Sequence, residues 1–217
     1  MKAEFFDLEM ITEDLSARQF QRFDDWTDDF CGRVEVRANG EESILLGYSL
    51  GGRLALHACL SRPDLWRAVI IVGADPGLES EEEKRLQLDR DRNWAERLKR
   101  EPLEKLTDEW DAQPVFGELK NQAPRNLGEM DASKLSQQFE VFSKGRQRDL
   151  VPDLAKLENP PVLFLSGEKD QKYQQIGEEL AKSSAVVKAK VVAGSGHRVP
   201  WESPESFARV LIDFALG

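Results

Sequence analysis

Histidine and cysteine are scarce in this 217-residue sequence, with two of each. Any catalytic imidazole is therefore His57 or His197. Cys31 and Cys59 stand in amphipathic or apolar surroundings, which excludes a disulfide framework and points to a reducing, cytoplasmic setting. Neither histidine is spaced from cysteines or acids as metal ligands are, so no metal site is expected. No apolar run approaches the ~20 residues that a membrane-spanning helix needs, and no charged-then-apolar leader follows Met1. A basic surplus is also missing: 30 Lys and Arg against 40 Asp and Glu leave a net charge of −10. That balance disfavours nucleic acid as a partner, while a local cluster of arginines still permits a small anionic substrate. The residues do not indicate an oligomeric state.

What is present alternates strands and helices, in a length that suits one domain carrying an insertion. Residues 3–8 (AEFFDL) read as a short buried strand, and Glu13 to Cys31 as a helix with Phe20, Phe23, Trp26 and Phe30 at helical spacing. Strands are expected at Ser43–Tyr48, Trp66–Val72, Pro161–Ser166 and Val186–Val192, and helices at Gly51–Ser61 and Ile176–Lys182. A last helix has Ser203 as N-cap, Pro204 in its first turn and Phe207, Val210, Leu211 and Phe214 on one face. This order predicts an α/β fold, a mostly parallel sheet flanked by helices, built from residues 1–78 and 150–217. Residues 79–149 are highly charged, helical in period and without a convincing strand. They read as an inserted helical cap anchored by Trp94, Trp110 and Phe116, roofing a substrate pocket.

The chemistry centres on Gly47-Tyr48-Ser49-Leu50-Gly51, between an apolar strand and a helix. A serine flanked by glycines on a strand-to-helix turn is a nucleophile elbow, in which small neighbours let strand and helix approach and push the hydroxyl outward. The helix N-terminus favours developing negative charge, and the Leu50 backbone N–H is placed to donate to an oxyanion. His57 lies on the same helix as Ser49, too far along to fold back onto it, and reads as structural. His197 stands in a Gly-Ser-Gly loop after a strand, where catalytic groups of α/β sheets collect. Asp170, in the turn after the strand ending at Ser166, is the first choice for the acid that orients His197, with Asp75 as runner-up.

The chain resembles the 2-succinyl-6-hydroxy-2,4-cyclohexadiene-1-carboxylate synthase family of the α/β-hydrolase superfamily, which acts in menaquinone biosynthesis. The resemblance rests on GYSLGGR (Gly47–Arg53), PGL (Pro76–Leu78), DRNWAERLKREPL (Asp91–Leu103), W-x-x-QPVF (Trp110–Phe116), SGEKDQKY (Ser166–Tyr173) and GSGHRVPWESP (Gly194–Pro204). It implies a lyase that eliminates pyruvate from a cyclohexene carboxylate without cofactor, the Ser49–His197–Asp170 relay serving as base. It further implies substrate contacts from Arg53, Tyr48 and Trp110. Taken without the resemblance, Arg53 reads as an exposed helix arginine. Two other readings stand beside the lyase: a serine esterase or thioesterase acting on a small acid, and a catalytically silent binding protein of the same fold.

The chain departs from the family pattern in two places. The family carries a further N-terminal strand and a His-Gly loop that supplies the second oxyanion donor, and no His-Gly pair precedes Ser49 here. N-terminal truncation, a rearranged first strand or a second chain filling the gap are the expected explanations. The family's cap arginines also have no clean counterparts. Gln87 stands near one such position, with Arg85 and Arg90 close by; the second has no obvious counterpart near Gly128, and Arg92 and Arg125 are the candidates to substitute.

Overall fold

The protein is described by a computed structural model that covers residues 12–15 and 17–216. The strand expected at 3–8 lies outside the described residues, as does any rearrangement of it. In chain order the elements are α1 (Phe23–Ala38), β1 (Ser43–Tyr48), α2 (Leu50–Ser61), β2 (Trp66–Val72), α3 (Glu81–Leu98), α4 (Leu103–Asp111), α5 (Ala132–Val141), α6 (Val151–Leu154), β3 (Val162–Gly167), α7 (Gln171–Ser183), β4 (Val187–Val192), α8 (Val199–Glu202) and α9 (Pro204–Leu216). The four strands pair in parallel in the order β1-β2-β3-β4.

The period-two alternation of β2 divides the core. Val69 and Ile71 point to one face, where Leu45, Phe164, Leu54 of α2, Trp26 of α1 and Leu180 of α7 pack. Ile70 and Val72 point to the other, against Leu163, Leu165, Val199 and the α9 residues Phe207, Val210 and Leu211. Phe164 is fully buried, a burial that contributes on the order of 2–3 kcal/mol. Its ring occupies the space a Cβ on Gly177 would need, with Cδ1 2.7 Å from that position, so α7 lies directly on β3. All strand C-termini end at one edge of the sheet, where the functional loops gather.

The first helix is displaced from its expected place. It starts at Phe23, eight residues before the expected end, and continues to Asn39, whose left-handed φ of 50° ends it. The Asp25 carboxylate accepts from the Gln21 N–H and pairs with Arg22, setting the start. The preceding segment is instead tied across α1 by the Glu13–Arg33 ion pair and packs Phe20 on Phe142. α7 begins before Ile176 because Asp170 caps it, accepting from the Tyr173 N–H. The α8 turn was not expected, and Ser203 donates its hydroxyl to the Ala193 carbonyl while its own carbonyl accepts the Phe207 N–H. Residues 79–149 hold α3, α4 and α5, with two 3-10 turns between α4 and α5, and Trp110 lies edge-on to Trp94 and Phe139.

His57 is buried and stacks on Phe23 at 4.6 Å between ring centroids. Its Nε2 has no hydrogen-bond partner among the described residues, and burial pulls its pKa down to about 4. A neutral native imidazole favours the folded state above the unfolded pKa. That advantage is lost as pH falls from ~6.5 through about 4, at a cost of about 3 kcal/mol. His57→Phe is therefore expected to flatten the fall in Tm between pH 7 and pH 4. Parallel profiles for variant and wild type would contradict this.

Candidate active site

Ser49 joins β1 to α2 with φ 49° and ψ −112°, a conformation that costs a non-glycine residue about 1–3 kcal/mol. The surroundings hold it there: its N–H donates to the Val72 carbonyl at 2.9 Å and its carbonyl accepts the Arg53 N–H at 3.0 Å. Leu50, the first residue of α2 and the next in the chain after Ser49, contributes one of the helix N–H groups that have no intrahelical acceptor.

The flanking glycines are unequal. A Cβ on Gly47 would lie 2.4 Å from the Gly51 carbonyl oxygen, and one on Gly52 would lie 2.6 Å from the Ala74 Cβ. A Cβ on Gly51 meets nothing within 4 Å, so the close approach of strand and helix needs Gly47 and Gly52, not Gly51. Gly47→Ala is expected to destabilise by about 1–3 kcal/mol through overpacking, whereas Gly51→Ala should hold or raise Tm, as a helical glycine-to-alanine change does. Thermal unfolding of the two variants checks the contrast.

His197 is buried in the loop after β4, with the rings of Tyr173, Tyr48 and Phe116 around it at 4.9, 5.4 and 5.7 Å. Its Nδ1 lies 2.7 Å from Asp170 Oδ2 and its Nε2 3.4 Å from Ser49 Oγ. A carboxylate only accepts, so Nδ1–H donates to Asp170 and Nε2 is left to accept the serine proton. The 3.4 Å contact is long for a hydrogen bond, as such contacts often are before substrate binds. The loop is held close: a Cβ on Gly73 would sit 2.9 Å from the imidazole Cε1, and one on Gly167 2.1 Å from the Gly196 carbonyl. Ser49, His197 and Asp170 are thus brought together. Asp75, the alternative acid, pairs instead with Lys144 at 2.8 Å and Lys172 at 3.4 Å.

Over the serine, α3, α4 and α5 enclose a cavity of about 560 Å³ that reaches Ser49, Leu50 and His197. Trp110 and Arg53 line it, and the Arg53 guanidinium is held by Gln147 Oε1 at 3.2 Å and lies 5.7 Å over the Phe23 ring. Withdrawal from water lowers the pKa of Arg53, which still stays cationic at neutral pH. Tyr48 differs from its expected place. It is the last residue of β1, faces the α9 side of the sheet and packs on His197 and Trp201 instead of lining the cavity. Burial raises its pKa.

Among the arginines proposed for the cap, Arg90 and Arg125 line the cavity, Arg125 in an ion pair with Asp111 at 3.0 Å. Arg92 pairs with Asp89 and does not line it, nor does the exposed Arg85. Gln87 does, donating to Asp91, whose pKa burial raises. Sequence reasoning passed over Lys144, Lys172 and Arg198. Arg198, next to His197, is buried, donates to Asp111 and lies 3.6 Å over the Phe116 ring, joining the histidine loop to the end of α4 and the turn after it. Its position inside GSGHRVP was the only available signal.

A family model described as "Alpha/beta hydrolase family" matches residues 11–210. The chain belongs to that family. Curated relatives include the 2-succinyl-6-hydroxy-2,4-cyclohexadiene-1-carboxylate synthases of Yersinia pseudotuberculosis serotype O:3 (strain YPIII), 33% identical, and Yersinia pestis (strain Pestoides F), 34% identical. In both, the match covers 82% of this chain and 66% of the relative, so the chain spans about two thirds of their length. Among solved structures, MenH from S. aureus superposes with a TM-score of 0.81 at 23% identity, covering 90% of this chain and 77% of that one. A malate-bound esterase from Thermogutta terrifontis gives 0.69 at 19% identity, covering 90% and 72%. Both share the fold. Among the described residues, no helix is long and apolar enough to cross a membrane, and no group of three or more His, Cys, Asp and Glu is placed to hold a metal ion.

Proposed function

We propose that this chain is a carbon–oxygen lyase that releases pyruvate from an enolpyruvyl cyclohexene carboxylate, the activity implied by its resemblance to the synthase family whose name its curated relatives carry. The observation that carries the reading is the charge of the cavity above the relay. In a chain of net charge −10, Arg53, Arg90, Arg125, Lys144 and Lys172 line it against only Asp75 and Asp91. Such a lining favours a small anionic substrate.

The chemistry follows from the orientation of the groups. Asp170 fixes the imidazole, Nε2 draws the Ser49 proton, and Ser49 Oγ takes a proton from a ring carbon. The electron pair of that C–H bond becomes a ring double bond as the C–O bond to the enolpyruvyl group breaks. The departing enolate receives the proton back through His197 and leaves as pyruvate. The Leu50 N–H and the α2 N-terminus stabilise charge as it develops. Buried free thiols at Cys31 and Cys59 suit a reducing cytoplasm.

The Ser49–His197 contact also suits nucleophilic attack, which favours a serine esterase or thioesterase as second reading. Pyruvate release from the enolpyruvyl substrate, followed with lactate dehydrogenase, should exceed p-nitrophenyl acetate hydrolysis at least ~100-fold in kcat/KM, a gap expected when transition-state binding differs. Ester turnover with no pyruvate release would reverse the two readings. Neither activity, with Ser49 also unlabelled by a phosphonate, would leave a binding protein.

A further inference from the structure

The loop after β2, the turn before α6 and the start of α7 bring Asp75, Lys144 and Lys172 together at the cavity wall. The Asp75 carboxylate is buried, 7% exposed, and accepts from both ammonium groups, Lys144 at 17% exposure and Lys172 at 55%. Two cations sharing one carboxylate leave a local surplus of positive charge. Burial, and after it the neighbouring Lys172, push the Lys144 pKa down against the opposing pull of Asp75. Each ammonium has three donors, and Lys144 spends one on Asp75 while its side chain lines the cavity.

The cluster is rigidly tied to the other cationic pole. Gln147 is buried; its Nε2 donates to the Asp75 carbonyl at 3.0 Å and its Oε1 accepts from Arg53 at 3.2 Å. Arg53 follows Ser49 by one helical turn, and Lys172 follows Asp170 by two residues, so the two poles flank the relay from α2 and from α7. At the cap position where Gln87 stands, the amide serves Asp91 and carries no charge.

We propose that Lys144 and Lys172 form a carboxylate-binding subsite, so that the cavity selects ligands with two carboxylates, one on Arg53 and the other on the lysine pair. This deepens the lyase reading and rests on it for the identity of the substrate, while the preference for two carboxylates is a property of the cavity alone. Asp75 holds the ammonium groups apart and in place, and the incoming carboxylate supplies the missing counter-charge.

Titration calorimetry with phthalate and benzoate, ring acids carrying two carboxylates and one, tests the subsite without turnover. The wild-type protein should bind phthalate at least ~10-fold more tightly than benzoate, the scale of one charge-assisted contact. Lys144→Gln should abolish most of that preference while changing benzoate affinity less than ~2-fold, and Lys144→Arg should restore it. Lys172→Gln, at an exposed side chain, should reduce the preference with Tm unchanged, which covers the case of a Lys144 variant that does not fold. Equal affinity for both acids in the wild type, or an undiminished preference in Lys144→Gln and Lys172→Gln, overturns the subsite. Absence of pyruvate release with the preference intact overturns only the lyase reading.

Discussion

Ser49→Ala is expected to lower kcat for pyruvate release on the order of 10⁴-fold, the upper range for a positioned general base, with KM little changed. The side chain fills no cavity in the core: it stands half-buried at the elbow, facing the pocket. Alanine keeps the Cβ, and with it the backbone strain, so the N–H bond to Val72 and the Leu50 donor should persist. Substrate then meets the same charged lining and lacks only the oxygen that takes the proton. A steady-state comparison of kcat and KM separates this from a binding defect. A Ser49→Ala variant with kcat within ~10-fold of wild type would mean that another group is the base.

Asp170→Asn should cost on the order of 10³–10⁴-fold in kcat, although it adds and removes no volume. Asp170 divides its work: Oδ1 accepts the Tyr173 N–H that caps α7, and Oδ2 accepts from His197 Nδ1. Asparagine can keep its carbonyl on Tyr173 only by turning its NH₂ toward His197. Nδ1 must then accept, the proton moves to Nε2, and the imidazole presents a donor to Ser49 where an acceptor is needed. The cap survives, because Asn and Asp cap a helix about equally well, so the unfolding free energy should change by less than ~0.5 kcal/mol while activity collapses. Proton NMR of the imidazole would show the changed tautomer.

The sheet and the relay were legible because each follows from a local pattern. Ala68–Val72 is an apolar run inside a strand of parallel-sheet length, and Ser49, Asp170 and His197 each stand just beyond the end of a strand. The start of α1 was not legible, because Phe20 keeps the helical spacing of Phe23 and Trp26 yet serves a contact with Phe142, more than a hundred residues away. The same holds at the elbow. The motif marks Gly51 as readily as Gly47 and Gly52, and only the folded packing distinguishes the glycine whose Cβ would have room. Lys144 was hidden for a different reason. It lies in a short 3-10 turn without periodicity, and its meaning comes from Asp75 and Lys172, which the fold brings from the ends of β2 and β3. Tyr48 shows the limit of resemblance: its neighbour Ser49 faces the cavity, and strand alternation turns Tyr48 itself to the opposite side.

The central claim is that Ser49 takes a carbon-bound proton and is not itself acylated. Intact-protein mass spectrometry of samples quenched during turnover tests it most directly, with pyruvate quantified in the same quench. Steady pyruvate formation over protein of unmodified mass is expected. A substrate-derived mass on Ser49 that rises and decays at the turnover rate would contradict it and make the serine a nucleophile.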